Sequence, residues 1–428
     1  MSLEKLKLDN GLTIYNDRIA SAGTNDVTMF VPYGSVDEKL GDEGVAHVFE
    51  HCVHLRTDEF PDRAALRQHA KLNGMVTNAN TYYTRTLYYA NGLGLEPNIR
   101  HLSQILQHTQ FPEDKVEHEM KAVRREAITR LDNAGFEHTV AADYAMHGLP
   151  YGRNVIGYHD KLDFDAATLK QLHRRYYKLG RMSLIVSGKA KLDDVAELAT
   201  SYFEADDEEY DVANDAVLDT KLGEHRLTGL VRDDSYNLRV SVAHPMTPEF
   251  RAQYQKNRLI YAIAKMAVSE ACFQALRYDK GISYDGGVGF STYNHPNAWD
   301  VGGYVTTDKE NIEVAKGVFA DIFQRDDKKY SDEDIAGSIA TFKYAYSSSI
   351  NSTEDRVDTH VSRLERYGEP EDVGATRRRL DRVKVDDVRR AINDIVDFTS
   401  TAPRYTHLTG KRDAIGEVEK IIERGEIA

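Results

Sequence analysis

Apolar and polar positions divide the first half of the chain into short strands and amphipathic helices. Residues 27–34, VTMFVPYG, have the β-branched and aromatic content of a buried strand. Four later segments carry apolar residues at the spacing of an amphipathic helix. Residues 75–92 are rich in Thr, Tyr and Asn, which is typical of a β-hairpin. The pattern predicts, in chain order, helices 44–56 and 62–72, a hairpin at 75–92, and helices 96–110 and 114–132.

The second half repeats this order of elements. A strand-like segment at 238–243 precedes a long helical stretch, a hairpin and two further helices. Each half also has a late helix with an acid-rich first turn, near Asp165 and near Asp386. A period of about 200 residues indicates a duplicated domain and not a solenoid. The remaining elements predicted here are a helix at 252–277, a hairpin at 286–305, and helices 311–323 and 332–350.

An acidic segment without apolar periodicity separates the two copies. It predicts a solvated linker at residues 205–221, between an N-terminal domain (1–204) and a C-terminal homologous domain (222–428). Strands, hairpins and helices mixed within one repeat favour an α+β fold, with two homologous αβ-layered domains in the chain.

Composition narrows the classes of function. The 428 residues include 55 Lys and Arg against 69 Asp and Glu, a net charge of −14, so we expect no nucleic-acid partner. No stretch approaches 18 consecutive apolar residues, so we expect no membrane span. The sequence MSLEKLKLDNGL at the start has no apolar signal region, and two cysteines suit a reducing compartment. We therefore expect a cytoplasmic protein.

The sequence His47-Val-Phe-Glu50-His51 carries the sharpest chemical signal. Histidines four residues apart on a helix project from the same face, which suits two ligands of a tetrahedral zinc ion. Glu50 is placed to reach a water bound to the same metal. This is the H-x-x-E-H order, the inverse of H-E-x-x-H. The alternative is a polar helix face that happens to carry two histidines.

A catalytic zinc ion needs a third protein ligand. Glu119 and Glu126 lie seven residues apart on the helix predicted at 114–132, and therefore on one face of it. One could bind the metal while the other orients a ligand. Acidic residues on such a helix are also common as its solvated face.

These motifs resemble the pitrilysin/insulinase family of inverzincin metallopeptidases. The resemblance covers nearly the whole chain and is closest to short members such as the catalytic subunit of mitochondrial processing peptidase. NGLTI at 10–14, GSVDE at 34–38 and GDEGVAH at 41–47 are similar to the family's approach to its zinc helix. The family's glutamate ligand follows the motif at the distance that separates Glu126 from His51, 75 residues. The resemblance thus implies Glu126 as ligand, with Glu119 as the residue supporting it.

The same resemblance implies how substrate is held. Asn78 and Ala79 match the Asn-Ala pair of an edge strand to which the family adds the substrate backbone as a further strand. In the second half, Arg277 and Tyr284 match an Arg/Tyr pair that grips the substrate near the scissile carbonyl. Glu50 would then be the general base acting on a zinc-bound water.

Assembly is a further implication of the resemblance. Residues 264–270 stand where a second zinc motif would fall and contain no histidine pair, so one Zn²⁺ per chain is expected. Longer members of the family fuse two such halves into a clamshell, so this chain would form half of one, and a C₂ homodimer would complete it. The enclosed chamber would admit unstructured peptides, and an acidic lining would favour basic ones.

Two functions of another class remain open on the sequence. One is a non-catalytic subunit, like the core proteins of the respiratory cytochrome bc complex, and the other is a peptide-binding partner with residual zinc. The chain also departs from the family pattern after His51. Cys52 replaces a plain apolar residue and is expected to fill space, His54 is expected to pack or form a hydrogen bond, and Arg56-Thr57 stands in place of Gly-Thr.

Overall fold

The computed structural model of the chain describes residues 3–131, 137–142, 151–205, 226–233, 237–292, 299–323 and 330–416. These residues group into two compact units. The first falls within the ranges Met1–Asp132, Arg153–Val217 and Ser347–Thr376, and the second within Asn133–Gly152, Leu218–Tyr346 and Arg377–Ala428.

The strands pair within two main sheets, apart from one short pair, β4 with β7. In chain order the strands are β1 (Glu4–Lys7), β2 (Thr13–Arg18), β3 (Asn25–Val31), β4 (Arg56–Thr57), β5 (Met75–Thr81), β6 (Thr86–Gly92), β7 (Thr109–Gln110), β8 (Ser183–Gly188), β9 (Arg226–Val231), β10 (Leu238–Pro245), β11 (Asp285–Thr292), β12 (Trp299–Thr307) and β13 (Tyr405–Gly410).

The helices confirm most of the predicted segments. In chain order they are α1 (Val45–Cys52), α2 (Arg63–Leu72), α3 (Leu95–Leu106), α4 (Glu113–Leu131), α5 (Ala166–Tyr176), α6 (Leu192–Tyr202), α7 (Pro248–Phe273), α8 (Ile312–Ile322), α9 (Asp332–Ser348), α10 (Thr353–Tyr367), α11 (Val373–Leu380) and α12 (Val385–Thr401).

The two sheets share one topology, which confirms the predicted duplication. In the first unit the order is β1-β2-β8-β3-β6-β5, and in the second it is β11-β12-β10-β13-β9. Read from β2 and from β9, each sheet begins with a parallel pair, β2 with β8 and β9 with β13, and continues with three antiparallel pairs. The first sheet adds β1 at its edge. The fold is therefore α+β, built twice.

The core of the first unit lies against its sheet and supports α1. Every residue of β3 is buried. Tyr88 of β6 forms a hydrogen bond of 2.7 Å between its hydroxyl group and that of Tyr177, whose ring lies 4.3 Å from that of Phe49 in α1. A buried aromatic chain thus fixes α1 relative to the sheet.

The long helix α7 of the second unit bears on the expectation of no membrane span. Together with its π-helical continuation Gln274–Asp279, this helix is long and apolar enough to cross a membrane. Buried helices of globular domains can have the same length and composition. In this unit α7 packs against β11 and α12, and Leu259, Ile263 and Val268 are buried. The absence of a membrane span stays a prediction.

The predicted domain boundaries differ from the two units. Helix α10 lies in the C-terminal half of the sequence, yet Val357 and Val361 pack in one apolar cluster with Tyr15, Phe30 and Ile185 of the first sheet. A sequential division at the linker could not anticipate this, because the helix returns to the first unit after the second sheet has begun. The linker predicted at 205–221 lies, except for residue 205, outside the described residues.

A buried ion pair holds α10 in the first unit. Arg356 donates hydrogen bonds of 2.5 and 2.6 Å to the two carboxylate oxygens of Asp17, and the Nε2 atom of His360 lies 2.9 Å from Oδ2 of the same residue. Burial alone would raise the pKa of Asp17, but the hydrogen bonds from His360 and Arg356 outweigh it and lower the pKa to about 2.

We expect Asp17→Asn to lower the free energy of unfolding by about 3–5 kcal/mol, because it leaves a buried guanidinium without its counter-charge. Denaturant unfolding at neutral pH measures the loss. Since the pKa of Asp17 lies below its ordinary 3.8, the ion pair stabilises the fold above about pH 4 and stops doing so as the pH falls through 2. Asp163→Asn, which removes a solvent-exposed partner of Arg124, is the control and should change stability by less than about 1 kcal/mol. Equal effects of the two variants would contradict this assignment.

Candidate metal centre

The N-terminus of α1 is fixed by a glycine and a buried carboxylate. Gly44 has a φ of 93°, and a Cβ atom there would lie 2.7 Å from the Cα atom of Gly157, so no other residue fits without rearrangement. The side chain of Glu38 accepts hydrogen bonds from the backbone N–H groups of Gly44 (3.0 Å) and Ala46 (2.9 Å). These contacts set the start of the helix at Val45, two residues before His47.

Helices α1 and α4 bring the predicted metal ligands together. The rings of His47 and His51 lie on one face of α1 with centroids 4.7 Å apart. Oε2 of Glu126, from α4, lies 3.7 Å from Nε2 of His47 and 3.4 Å from Nε2 of His51. One ligand atom from each of the three residues falls within 4.8 Å of the others.

This arrangement fits a tetrahedral zinc ion. With bonds of 2.0–2.2 Å to nitrogen and oxygen, two ligand atoms on a tetrahedron stand roughly 3.4 Å apart. The two distances from Glu126 match that spacing, and the two imidazoles with one carboxylate form a donor set that zinc enzymes use.

Glu119 lies behind His51, on the other side of the imidazole. Nδ1 of His51 lies 2.9 Å from Oε1 of Glu119, so an Nδ1–H donor leaves the lone pair of Nε2 directed towards Glu126. Arg63 holds this pair from both ends: its guanidinium lies 3.1 Å from Oε2 of Glu119 and donates a 2.9 Å hydrogen bond to the backbone carbonyl of His51. Arg63 could not be predicted from the sequence, because nothing local distinguishes it from a surface arginine on α2.

Glu50 is oriented by a residue that the sequence analysis did not single out. Thr81, the last residue of β5, donates a hydrogen bond of 2.6 Å from its hydroxyl group to Oε2 of Glu50. Burial raises the pKa of Glu50 despite this bond and the nearby His51. A carboxylate with a raised pKa binds a proton more readily, which suits a general base that must take one up. The only available signal for Thr81 was its place directly after the Asn-Ala motif.

The three ligand residues shift one another's pKa. Burial lowers the pKa of His47 to about 4, with the neighbouring His51 adding to the shift. Burial would also lower the pKa of His51, but hydrogen bonds to Glu119 and Glu126 raise it to about 9. The hydrogen bond from His51 lowers the pKa of Glu126 to about 2. A cation at these atoms therefore competes with the proton that His51 holds at neutral pH.

The substrate residues predicted in the first half lie on the edge strand β5. Asn78 and Ala79 pair with Tyr89 and Tyr88 of β6 on one side, and β5 is the last strand in the sheet order. Its other side has no strand partner among the described residues. Val76 on the same strand is 70% exposed. The strand therefore offers an edge to which an extended peptide can be added.

Arg277 and Tyr284, predicted in the second half, lie close together in the second unit. Arg277 belongs to the π-helical segment after α7, and its guanidinium carbon lies 4.1 Å from the centre of the Tyr284 ring. Tyr284 is 78% exposed. The structure thus brings the pair together, and its action on substrate at the metal centre stays a prediction.

The structure shows where the three departures from the family pattern after His51 lie. Cys52 is fully buried, and burial raises the pKa of its thiol to about 12, so it is inert as a nucleophile at neutral pH. Helix α1 ends at Cys52, earlier than predicted, and Arg56 and Thr57 form the short strand β4. His54 is half-buried, and it lines a cavity together with Glu50.

Comparison with known proteins gives two family matches along the chain. The family model described as "Insulinase (Peptidase family M16)" matches residues 16–152, and the model "Peptidase M16 inactive domain" matches residues 163–341. All three candidate metal ligands lie within the first match. The second match covers the part of the chain in which the sequence analysis found no second zinc motif.

Curated relatives are similar to this chain over about half its length. The probable mitochondrial-processing peptidase subunit beta of Schizosaccharomyces pombe is 29% identical over 206 residues, which are 47% of this chain and 44% of that protein. The zinc protease PqqE of Helicobacter pylori is 24% identical over 210 residues, 47% of each. The chain therefore matches less than half the length of these relatives.

Solved structures agree over nearly the whole chain. A protease from Helicobacter pylori superposes with a TM-score of 0.80 at 17% identity, covering 95% of this chain and 99% of that one. The first half of the periplasmic protease PqqL from Escherichia coli gives a TM-score of 0.76 at 15% identity, with 97% and 93% covered. At these identities the likeness establishes the fold alone.

Proposed function

The chain belongs to the insulinase (M16) family of peptidases, and on that basis we propose that it is a zinc-dependent endopeptidase that hydrolyses unstructured peptides. The observation that carries this proposal is the meeting of His47, His51 and Glu126, whose ligand atoms lie within 4.8 Å of one another. Glu50, the general base of the proposed reaction, lies on the same helix as both histidines and is held by Thr81.

Each residue of the centre has a definite task in the proposed reaction. His47, His51 and Glu126 would hold the metal, and Glu119 would fix the orientation of His51. Bound there, zinc would act as a Lewis acid towards the scissile carbonyl and would acidify the attacking water. Glu50 takes the proton from that water and passes it to the leaving amine. Its raised pKa supports this role because the carboxylate must retain the proton between the two transfers.

Substrate would bind as an added strand on β5. Asn78 and Ala79 lie on the free edge of that strand, so backbone hydrogen bonds there hold an extended chain without reading its side chains. A folded protein has few free extended segments, which favours unstructured peptides as substrates. Arg277 and Tyr284 would hold the substrate near the scissile carbonyl, with the Tyr284 hydroxyl group as a hydrogen-bond donor.

We also propose one Zn²⁺ per chain and a homodimer as the working assembly. The second half of the chain matches an inactive-domain model and carries no histidine pair at 264–270, which supports one metal. The chain covers nearly all of a solved half-protease, and two such halves facing each other would enclose a chamber. The inactive-domain match does not favour a non-catalytic protein, because the metal centre lies in the other match.

Cleavage of a quenched fluorescent library of unstructured peptides tests the proposed function. The library is incubated with the protein alone, with 1,10-phenanthroline, and with zinc added back, and the cut sites are mapped by mass spectrometry. We expect cleavage that the chelator abolishes and zinc restores. An absence of cleavage by a zinc-loaded dimer would contradict the proposal and would favour the non-catalytic alternative.

Glu119→Gln tests the supporting role of that residue. We expect it to weaken zinc binding by roughly 10–100-fold, because an amide is a weaker acceptor for the Nδ1–H group of His51 and no longer pairs with Arg63 as a charge. Competition with a fluorescent zinc chelator measures the affinity. Unchanged affinity together with unchanged kcat would show that Glu119 does not act on the metal centre.

A further inference from the structure

A cavity opens beside Glu50 in the first unit. It has a volume of about 250 Å³, below the roughly 300–1,000 Å³ of pockets for drug-sized ligands, and is thus of a size for one amino-acid side chain. Asn78 and Ala79 of the edge strand form one wall. A peptide added to β5 directs alternate side chains to one face of the sheet, so one of them can enter this cavity. The remaining lining residues are Glu50, His51, His54, Arg63, Leu66, Arg67, Thr77 and His101.

His101 is the most deeply buried of the histidines that line the cavity. It comes from α3 and is 2% exposed, and both of its ring nitrogens lack a hydrogen-bond partner within the described part of the chain. A buried polar atom without a partner is destabilising, so two on one ring call for a specific reason. The ring of His69 lies parallel to it, with 6.2 Å between the ring centroids.

His54 and His101 are neutral hydrogen-bonding groups at neutral pH. Burial lowers the pKa of His54 to about 3 and that of His101 to about 4. A neutral imidazole offers one N–H donor and one acceptor. Each neutral ring therefore carries one N–H donor and brings no buried charge of its own.

Two arginines and one glutamate supply the fixed charges among the lining residues. Arg63 is paired with Glu119, whereas Arg67 is exposed and forms no ion pair with any residue that the structure describes. Glu50 supplies the one carboxylate among the lining residues, and its Oε2 atom already accepts a hydrogen bond from Thr81.

We propose that this cavity is a specificity pocket for an acidic side chain of the substrate, with His54, His101 and Arg67 as the residues that recognise its carboxylate. The proposal rests on the peptidase function proposed above and deepens it. A carboxylate only accepts hydrogen bonds, which matches imidazole N–H groups and a guanidinium as donors. The substrate residue whose side chain enters this pocket lies within two positions of the cleaved bond, because Glu50 lines the same cavity.

Matched peptides test this specificity. The starting point is one quenched peptide that the protein cleaves. Each of the two residues before the cut and each of the two after it is replaced in turn by Glu, Gln, Leu or Lys. We expect that at one position Glu exceeds Leu in kcat/KM by roughly tenfold or more, since a pocket built for hydrogen bonds rejects a side chain that forms none. Equal kcat/KM for Glu and Leu at all four positions would overturn the proposal.

Variants assign the preference to its residues. His54→Phe and His101→Phe keep a ring while removing its nitrogens, and Arg67→Gln tests the exposed charge without altering a buried side chain. We expect each to reduce the ratio of kcat/KM between the Glu and Leu peptides while cleavage of the Leu peptide continues. His159→Phe, an exposed histidine outside the cavity, should keep the wild-type ratio. A wild-type ratio in all three pocket variants would exclude these residues.

Binding separates this proposal from the proposed function. Fluorescence anisotropy gives the affinity of the zinc-loaded Glu50→Gln protein for the Glu and Leu peptides, without turnover. If no peptide is cleaved by the wild type, the peptidase proposal fails, and tighter binding of the Glu peptide that His101→Phe removes would still establish the pocket. Equal affinity for both peptides in that case would exclude the pocket as well.

Discussion

Replacing Glu50 by Gln should lower kcat for peptide hydrolysis by roughly 10²–10⁴-fold and leave the zinc content unchanged. The amide keeps the size of the carboxylate and can still contact the hydroxyl group of Thr81, which lies 2.6 Å from Oε2. It cannot take a proton from water. Because Glu50 is not among the three residues whose ligand atoms meet, the metal should remain bound.

Single-turnover cleavage and metal analysis of the same preparation measure the two quantities together. Glu117→Gln is a matched control, since Glu117 is exposed on α4 and pairs only with Lys121 in the described structure, at 3.8 Å. The control should keep both activity and zinc. Wild-type kcat in a contaminant-free preparation of Glu50→Gln would remove Glu50 from its proposed role, and loss of zinc would make it a structural residue of the site.

Replacing Glu126 by Gln should weaken zinc binding by more than about 100-fold and abolish chelator-sensitive cleavage. The substitution removes a ligand, whereas changes to residues that only orient ligands cost roughly 10–100-fold in affinity. It also removes the negative charge that lies 3.4 Å from Nε2 of His51. Helix α4 should retain its structure, because Glu126 is partly exposed and Gln is a good helix former.

Three glutamates on α4 give an ordered test of these roles. The loss of zinc affinity should be largest for Glu126→Gln, smaller for Glu119→Gln and absent for Glu117→Gln. The sequence alone left open which of Glu119 and Glu126 is the ligand, and the structure places Glu126 beside both histidines and Glu119 beside only one. A larger loss for Glu119→Gln than for Glu126→Gln would reverse the assignment.

The metal residues and the duplicated fold were accessible from the sequence because their signals are local or periodic. His47, Glu50 and His51 lie on one helical turn, and the order of strands and helices recurs in the second half with the same sheet topology. Cap residues also set the element starts: Asp62 and Asp165 accept hydrogen bonds from the first turns of α2 and α5.

Residues that act through tertiary contacts could not be found in this way. Thr81 reaches Glu50 from another strand, and Arg63 reaches Glu119 from another helix, so neither contact has a spacing that a sequence shows. The return of α10 to the first unit depends on the ion pair between Asp17 and Arg356, 339 residues apart. The cavity at His54 and His101 likewise depends on the packing of α1 and α3 beside β5.

Zinc titration of the metal-free protein is the most direct test of the central claim that one metal ion at His47, His51 and Glu126 drives peptide hydrolysis. Bound zinc and the rate of cleavage of one peptide are recorded together as zinc is added. We predict that both rise in parallel and stop at one zinc per chain, and that Glu126→Gln shows neither rise under the same conditions. Full cleavage before zinc is added, or activity that does not follow occupancy of this site, would contradict the account.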